Sequence, residues 1–162
     1  MSGKHVIIFK NDAVGDLVHS LKAIYNIIND SEVDKITIYV SKLNQKFSFL
    51  FNDKKINIKV VNYNLSIKDK IQLFLFILLN NIFKIYILTP KSFYYLLPIF
   101  FFKTKFYAIC INNINGYKRP STLLRKFLHK LVINDRSALF KRKSTSTIQD
   151  ELTMNETIKH RK

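Results

Sequence analysis

Val6-Ile7-Ile8-Phe9-Lys10-Asn11-Asp12-Ala13-Val14-Gly15-Asp16-Leu17 is the stretch that decides the fold. Its first four residues form an uninterrupted apolar run, the pattern of a strand covered on both faces of a parallel sheet. Asn11 to Gly15 reads as a loop, and Asp16 as the cap of a helix. Leu17, Leu21, Ile24, Ile27 and Ile28 recur at helical spacing, and Asn29-Asp30-Ser31 closes the helix. The strand at residues 5–10 is expected in the centre of a sheet, because its apolar run is unbroken.

The alternation continues outward. Ile36-Thr37-Ile38-Tyr39-Val40 reads as a second strand, and Ser41 can cap a short helix through Phe51. Ile56-Asn57-Ile58-Lys59-Val60-Val61 alternates, as expected of a third strand nearer an edge. Ser66-Ile67-Lys68-Asp69 resembles a capping box with Asp in place of Glu, opening a helix to about Ile82. Ile85-Tyr86-Ile87-Leu88 is a fourth strand, with Thr89 and Pro90 at cap and first-turn positions of the next helix. Phe106 to Ile111 is a fifth strand. Pro120 and Ser121 open a basic amphipathic helix carrying Leu123, Leu124, Phe127, Leu128 and Leu131. Strands alternating with helices predict an α/β fold with an open, mostly parallel sheet.

The 162 residues suffice for one domain with a sizeable core. A domain over 1–140 is expected, with 141–162 as a basic, polar linker or tail holding a marginal helix. At 48% hydrophobic and 23% charged residues, disorder over the whole length is excluded. The single cysteine, Cys110, excludes an internal disulfide and a multi-cysteine metal site. His5, His19, His129 and His160 lack paired metal-ligand spacing, so no metal is expected. The region 71–102 is very apolar, but Lys84, Pro90 and Lys91 interrupt it. A spanning helix needs about 20 apolar residues in a row. Two buried helices around a strand are therefore expected, with a membrane hairpin as the alternative. The N-terminus runs straight into a strand too short for a signal core, which sets the expected location in the cytoplasm.

The net charge of +16 is uneven. Residues 1–81 hold eleven basic and seven acidic residues, and 82–162 hold sixteen and four. Such a basic half suits an anionic partner, whether acidic lipid, a phosphorylated substrate or nucleic acid. A compositional bias toward Lys, Asn, Ile and Phe, as in an AT-rich genome, is the alternative. No recognised nucleic-acid motif is present, so nucleic acid is the least supported partner.

In an open α/β sheet, ligands bind beyond the carboxyl ends of the strands. The first such loop, Lys10 to Asp16, has one glycine and lacks both the three-glycine dinucleotide fingerprint and the P-loop. It offers two carboxylates, Asp12 and Asp16, and His19 one helical turn beyond Asp16. A carboxylate at a helix N-terminus is stabilised in its charged form and can accept a proton when closely positioned. Gly15 is expected to let the backbone turn closely before the helix. A plain helix cap is the competing role for Asp16, and a packed helix-face histidine for His19.

Residues Val6 to Ile24 resemble the N-terminal motif of glycosyltransferase family 9, the heptosyltransferases of lipopolysaccharide core assembly. That motif is an apolar strand, a basic residue, a short loop ending in Gly-Asp, an apolar pair, often His, a small hydroxyl residue, Leu, Pro and Ala-Leu. The chain keeps Lys10, Gly15, Asp16, His19, Ser20, Leu21 and Ala23 and departs at Lys22, where the family usually has Pro. A later strand leading to Gly116-Tyr117 is similar to the family's strand–Gly–aromatic turn, so the resemblance spans about residues 5–140.

The resemblance implies a Rossmann-like domain, the acceptor-side half of a two-domain GT-B enzyme. It implies an inverting, metal-independent transfer of a sugar from a nucleotide-sugar such as ADP-heptose to a lipopolysaccharide-core or similar glycan, with Asp16 as base. ADP-heptose would be a substrate, and no cofactor is implied. Acceptor contacts are expected from Lys10, Asn11, Asp12, Gly15, His19, Lys118 and Arg119. The basic run continuing through Arg125, Lys126 and Lys130 could meet phosphates of an anionic glycolipid or acidic lipid, at the inner face of the cytoplasmic membrane. A solvated helix face is the alternative for that run. The donor-binding half is expected to be missing, so the isolated chain should be inactive and would need a separate donor-binding domain. An inactive relic of the transferase and a non-catalytic basic module for anionic lipid or nucleic acid are the other readings.

Overall fold

The computed structural model describes residues 3–112, 120–135 and 145–157. The chain opens with β1 (Lys4–Lys10), α1 (Val14–Ile28), β2 (Val33–Ser41) and α2 (Lys42–Gln45). After a 3₁₀ turn at Ser48–Phe51 come β3 (Ile56–Val61), α3 (Ile67–Leu79), β4 (Ile82–Ile87) and α4 (Ser92–Phe100). β5 (Lys105–Asn112), α5 (Thr122–Arg125), β6 (Lys130–Asp135) and α6 (Thr145–Thr157) follow. All six strands pair in parallel in the order β3-β2-β1-β4-β5-β6. The fold is the expected open α/β sheet of Rossmann-like type. β1 is central, with Ile7 registered against Thr37 on one side and Ile85 on the other. β3 takes the edge that its alternating pattern predicted.

The two faces of β1 explain its unbroken apolar run. Val6 and Ile8 point to a core layer shared with Leu17 and Ile24 of α1 and Leu152 of α6. Ile7 and Phe9 point the opposite way, against Leu73 and Ile77 of α3 and Tyr94 and Leu97 of α4. Each such side chain, fully buried, contributes about 1.5–3 kcal/mol. α6 lies in the stretch expected as a linker or tail. Its Ile148 and Leu152 are buried, Asn26 Nδ2 of α1 donates to Thr153 Oγ1 at 3.2 Å, and Lys22 pairs with Asp150 at 2.9 Å.

Several local expectations are met in detail. The Ser66 side chain accepts from the Asp69 amide and the Asp69 side chain from the Ser66 amide, a complete capping box. Ser41 caps α2 and Ser121 caps α5 through their hydroxyls, although α2 ends at Gln45 and does not run on to Phe51, which lies in the separate 3₁₀ turn. Others need correction. Helix α3 stops at Leu79, and Ile82 already belongs to β4. The cap of α4 is Lys91, so Thr89 and Pro90 lie in the loop before it. The basic amphipathic helix is a single turn, and Leu131 belongs to β6. The helices flanking β4 are only half-buried, since both keep large apolar residues in solvent. Among the described residues, no helix is long and apolar enough to cross a membrane.

Candidate active site

The strand order reverses between β1 and β4, so the loops leaving these two strands diverge and open a crevice at the carboxyl end of the sheet. The β1 loop forms one wall and is held from three directions. Asn44 Nδ2 donates to the carbonyls of Lys10 at 3.3 Å and Asp12 at 3.0 Å, and the Ser41 hydroxyl donates to the same Asp12 carbonyl at 3.1 Å. Asn11, wholly buried, reaches the other way. Its Nδ2 donates to the Asn62 carbonyl at 3.1 Å, and its Oδ1 accepts from the Tyr94 hydroxyl at 2.8 Å. The Tyr94 ring in turn stacks on Phe9 at a centroid distance of 4.1 Å. Buried polar groups satisfied in this way fix one conformation of the loop.

Lys10 and Asp12 form a buried ion pair, Nζ to Oδ2 at 2.7 Å, with the Lys10 side chain 1% exposed. Burial pushes the Asp12 carboxyl above its usual range and pulls the Lys10 amine below its own, while each partner holds the other charged. Asp12 Oδ1, Thr89 Oγ1 and Lys91 Nζ are buried without a hydrogen-bond partner among the described residues. The Lys91 amine lies 4.1 Å from the Tyr63 ring centroid. Burial lowers its pKa, and the charge of Asp12 opposes that shift.

Asp16 does not cap its helix. Ala13 is the cap, without a side-chain bond, and Asp16 is the third residue of α1. Its carboxylate is half-buried and makes no hydrogen bond or ion pair among the described residues. It stands near enough to Lys10 and Asp12 for its charge to raise the pKa of both. Gly15 sits inside the first turn, where an added Cβ would meet nothing within 4 Å, so it makes no tight turn before the helix. The space over the first turn is open. His19 is exposed one turn further along α1. The structure thus gathers Lys10, Asn11, Asp12, Gly15 and Asp16 at the crevice, while Lys118 and Arg119 lie outside the described residues.

Sequence reasoning missed Ser41, Asn44, Lys91 and Tyr94 as neighbours of this loop. Their convergence follows from the pairing of β1 with both β2 and β4, which no local pattern announces. Chemically, the crevice offers the Asp16 carboxylate on the first turn of α1, beside a loop held in place by a second carboxylate, Asp12, paired with Lys10.

A parallel sheet that reverses its strand order beside a carboxylate-bearing loop defines a Rossmann-like α/β domain with a binding crevice at the reversal. Among solved structures, the chain is similar to E. coli heptosyltransferase WaaC with ADP, at a TM-score of 0.58 and 13% identity. It is also similar to E. coli heptosyltransferase WaaC with ADP-2-deoxy-2-fluoro heptose, at 0.55 and 12%. Both comparisons cover 93% of this chain and 47% of the enzyme, so the chain spans about half the length of these neighbours. At this identity the likeness shows a heptosyltransferase-like fold. No family model matches the sequence, and no curated protein does.

Proposed function

We propose that the chain is the acceptor-side half of an inverting, heptosyltransferase-like glycosyltransferase, with Asp16 as general base. The observation that carries this is the placement of Asp16: a carboxylate without a side-chain partner among the described residues, on an open helix turn at the sheet's reversal point. The fold shared with the E. coli enzymes supports the reaction class. In that reaction an acceptor hydroxyl oxygen bonds to the anomeric carbon of a nucleotide-sugar. The bond from that carbon to the phosphate oxygen breaks, and the nucleoside diphosphate leaves with the electron pair. The hydroxyl proton passes to Asp16. A general base so placed contributes about 10²–10⁴-fold in rate.

The remaining residues have supporting roles in this scheme. The Lys10–Asp12 pair and Asn11 keep the loop in place, and Gly15 leaves room for the acceptor over the first turn. The exposed His19 lines the approach, where anionic groups of a glycan acceptor would be held. The nucleotide-sugar needs a donor-binding half that the described residues do not form, supplied by another segment or chain. The test is to mix the purified chain with the donor-side half of a related transferase, offer a nucleotide-sugar and an acidic glycan acceptor, and follow sugar transfer. Transfer only in the mixture is expected. No transfer in a mixture shown to associate, or turnover by this chain alone, would count against the proposal.

A further inference from the structure

The helix layer covering β4 leaves a large apolar surface in solvent. α3 sends Leu73 and Ile77 into the core, yet Ile67, Ile71, Leu75, Leu78 and Leu79 remain exposed, Ile67 at 76% and Leu79 at 80%. Their spacing of three and four residues makes one stripe along the helix. Leu96, Ile99 and Phe100 of α4 extend it, and Phe102 just beyond is 79% exposed. Phe74 joins the two helices, its ring 5.6 Å from Phe100 and 4.9 Å from Phe101 between centroids. Between the end of α3 and the turn after α4 lies a cleft of about 360 Å³, lined by Leu78, Leu79, Phe100, Phe102 and Lys103. Single exposed apolar residues are ordinary, whereas a continuous patch on two neighbouring helices marks an interaction site.

The charge around this patch is mainly positive. α3 carries Lys68 and Lys70 beside one carboxylate, Asp69, and α4 carries no charged residue. Lys103 lines the cleft itself, and Lys105 is exposed with its amine 5.5 Å from the Phe83 ring centroid. We propose that the outer face of α3 and α4 docks on a bilayer surface of anionic phospholipid. The apolar side chains enter the boundary between headgroups and acyl chains, and the lysines meet the headgroup phosphates. At 13 and 9 residues the two helices lie on such a surface and do not cross it. A second copy of the chain fits the patch poorly, because it would press one cationic rim against another at a net charge of +16 each. A bilayer supplies both an apolar layer and negative charge, and it needs no matching contour. The docking face is separate from Asp16 and stands whether or not the chain takes part in sugar transfer.

Co-sedimentation of the full chain with vesicles tests this, using phosphatidylcholine alone and phosphatidylcholine mixed with phosphatidylglycerol. Binding to the acidic vesicles alone is expected. The double change Leu79→Ser with Phe102→Ser should weaken it about tenfold or more, with the melting temperature unchanged because both side chains are already in water. Lys103→Gln with Lys105→Gln should weaken it by about tenfold as well, and high salt should reproduce that loss. Equal binding to both vesicle types, no binding to either, or full binding by the serine variant would overturn the proposal. So would a wild-type dimer that the serine variant dissociates, since the occupant would then be a second copy.

Discussion

Replacing Lys10 by Met should cost the fold about 3 kcal/mol or more at neutral pH. The Lys10 amine meets Asp12 Oδ2 at 2.7 Å, with the two side chains only 1% and 11% exposed. Asp12 Oδ1 already lacks a partner among the described residues, so losing the amine strands a whole carboxylate away from water. Breaking one side of a buried pair typically costs about 3–5 kcal/mol, against about 0–1 kcal/mol for an exposed pair. The stranded carboxylate escapes by taking up a proton. Its pKa, already raised by burial, rises further. A pKa raised on folding adds stability that is complete below the unfolded value and lost as pH rises through the folded one. The variant's deficit should therefore be smallest at acidic pH and grow toward neutrality. The double change Lys10→Met with Asp12→Asn removes both charges and should restore most of the loss. Urea unfolding of the wild type, both singles and the double at two pH values measures all of this. A single-variant loss under about 1 kcal/mol, or a double variant as unstable as its two singles summed, would refute the pair as the anchor of the loop.

Tyr94→Phe should cost about 1–3 kcal/mol without creating a cavity, because it leaves the buried Asn11 Oδ1 without its donor; thermal unfolding reads this. His5 is buried against Thr37, and burial lowers its pKa from 6.5 to about 4. A base with a depressed folded pKa favours the fold above its unfolded value, so stability should fall by about 3 kcal/mol between pH 6.5 and pH 4, and His5→Asn should flatten that slope in urea titrations. Gly15→Ala should leave stability unchanged or raised by up to about 1 kcal/mol, since its Cβ would meet nothing. A fall in transfer rate in the reconstituted enzyme, with stability intact, would show that the acceptor occupies that space.

Legibility in the sequence followed the range of the interaction responsible. The burial of β1, the edge position of β3 and the Ser66–Asp69 box were readable, because a run, an alternation and a spacing of three residues carry them locally. β6 was not readable. Leu123, Leu124, Phe127, Leu128 and Leu131 fit a helical face, yet Leu131 pairs with Ala108 of β5, a partner more than twenty residues away. The boundary of α1 was misplaced by three residues, because Asp favours both a cap and the first turn, and here it takes the latter. The carboxylates and Lys10 at the crevice were found from the loop itself. Asn44 and Tyr94 come from α2 and α4, the helices that follow β2 and β4 on opposite sides of β1, and only the strand order brings them there.

The central claim is that Asp16 takes the acceptor's proton, and the change Asp16→Asn tests it most directly. Asn keeps the size of the side chain, which makes no hydrogen bond that the fold would lose among the described residues, so unfolding should shift by less than about 1 kcal/mol. The measurement is the transfer rate of the chain combined with a donor-side half, at saturating nucleotide-sugar. A fall of about 10²–10⁴-fold with stability and vesicle binding unchanged is the predicted result. Full rate in the Asn variant would contradict the account and leave Asp16 as a first-turn carboxylate that merely complements the helix dipole.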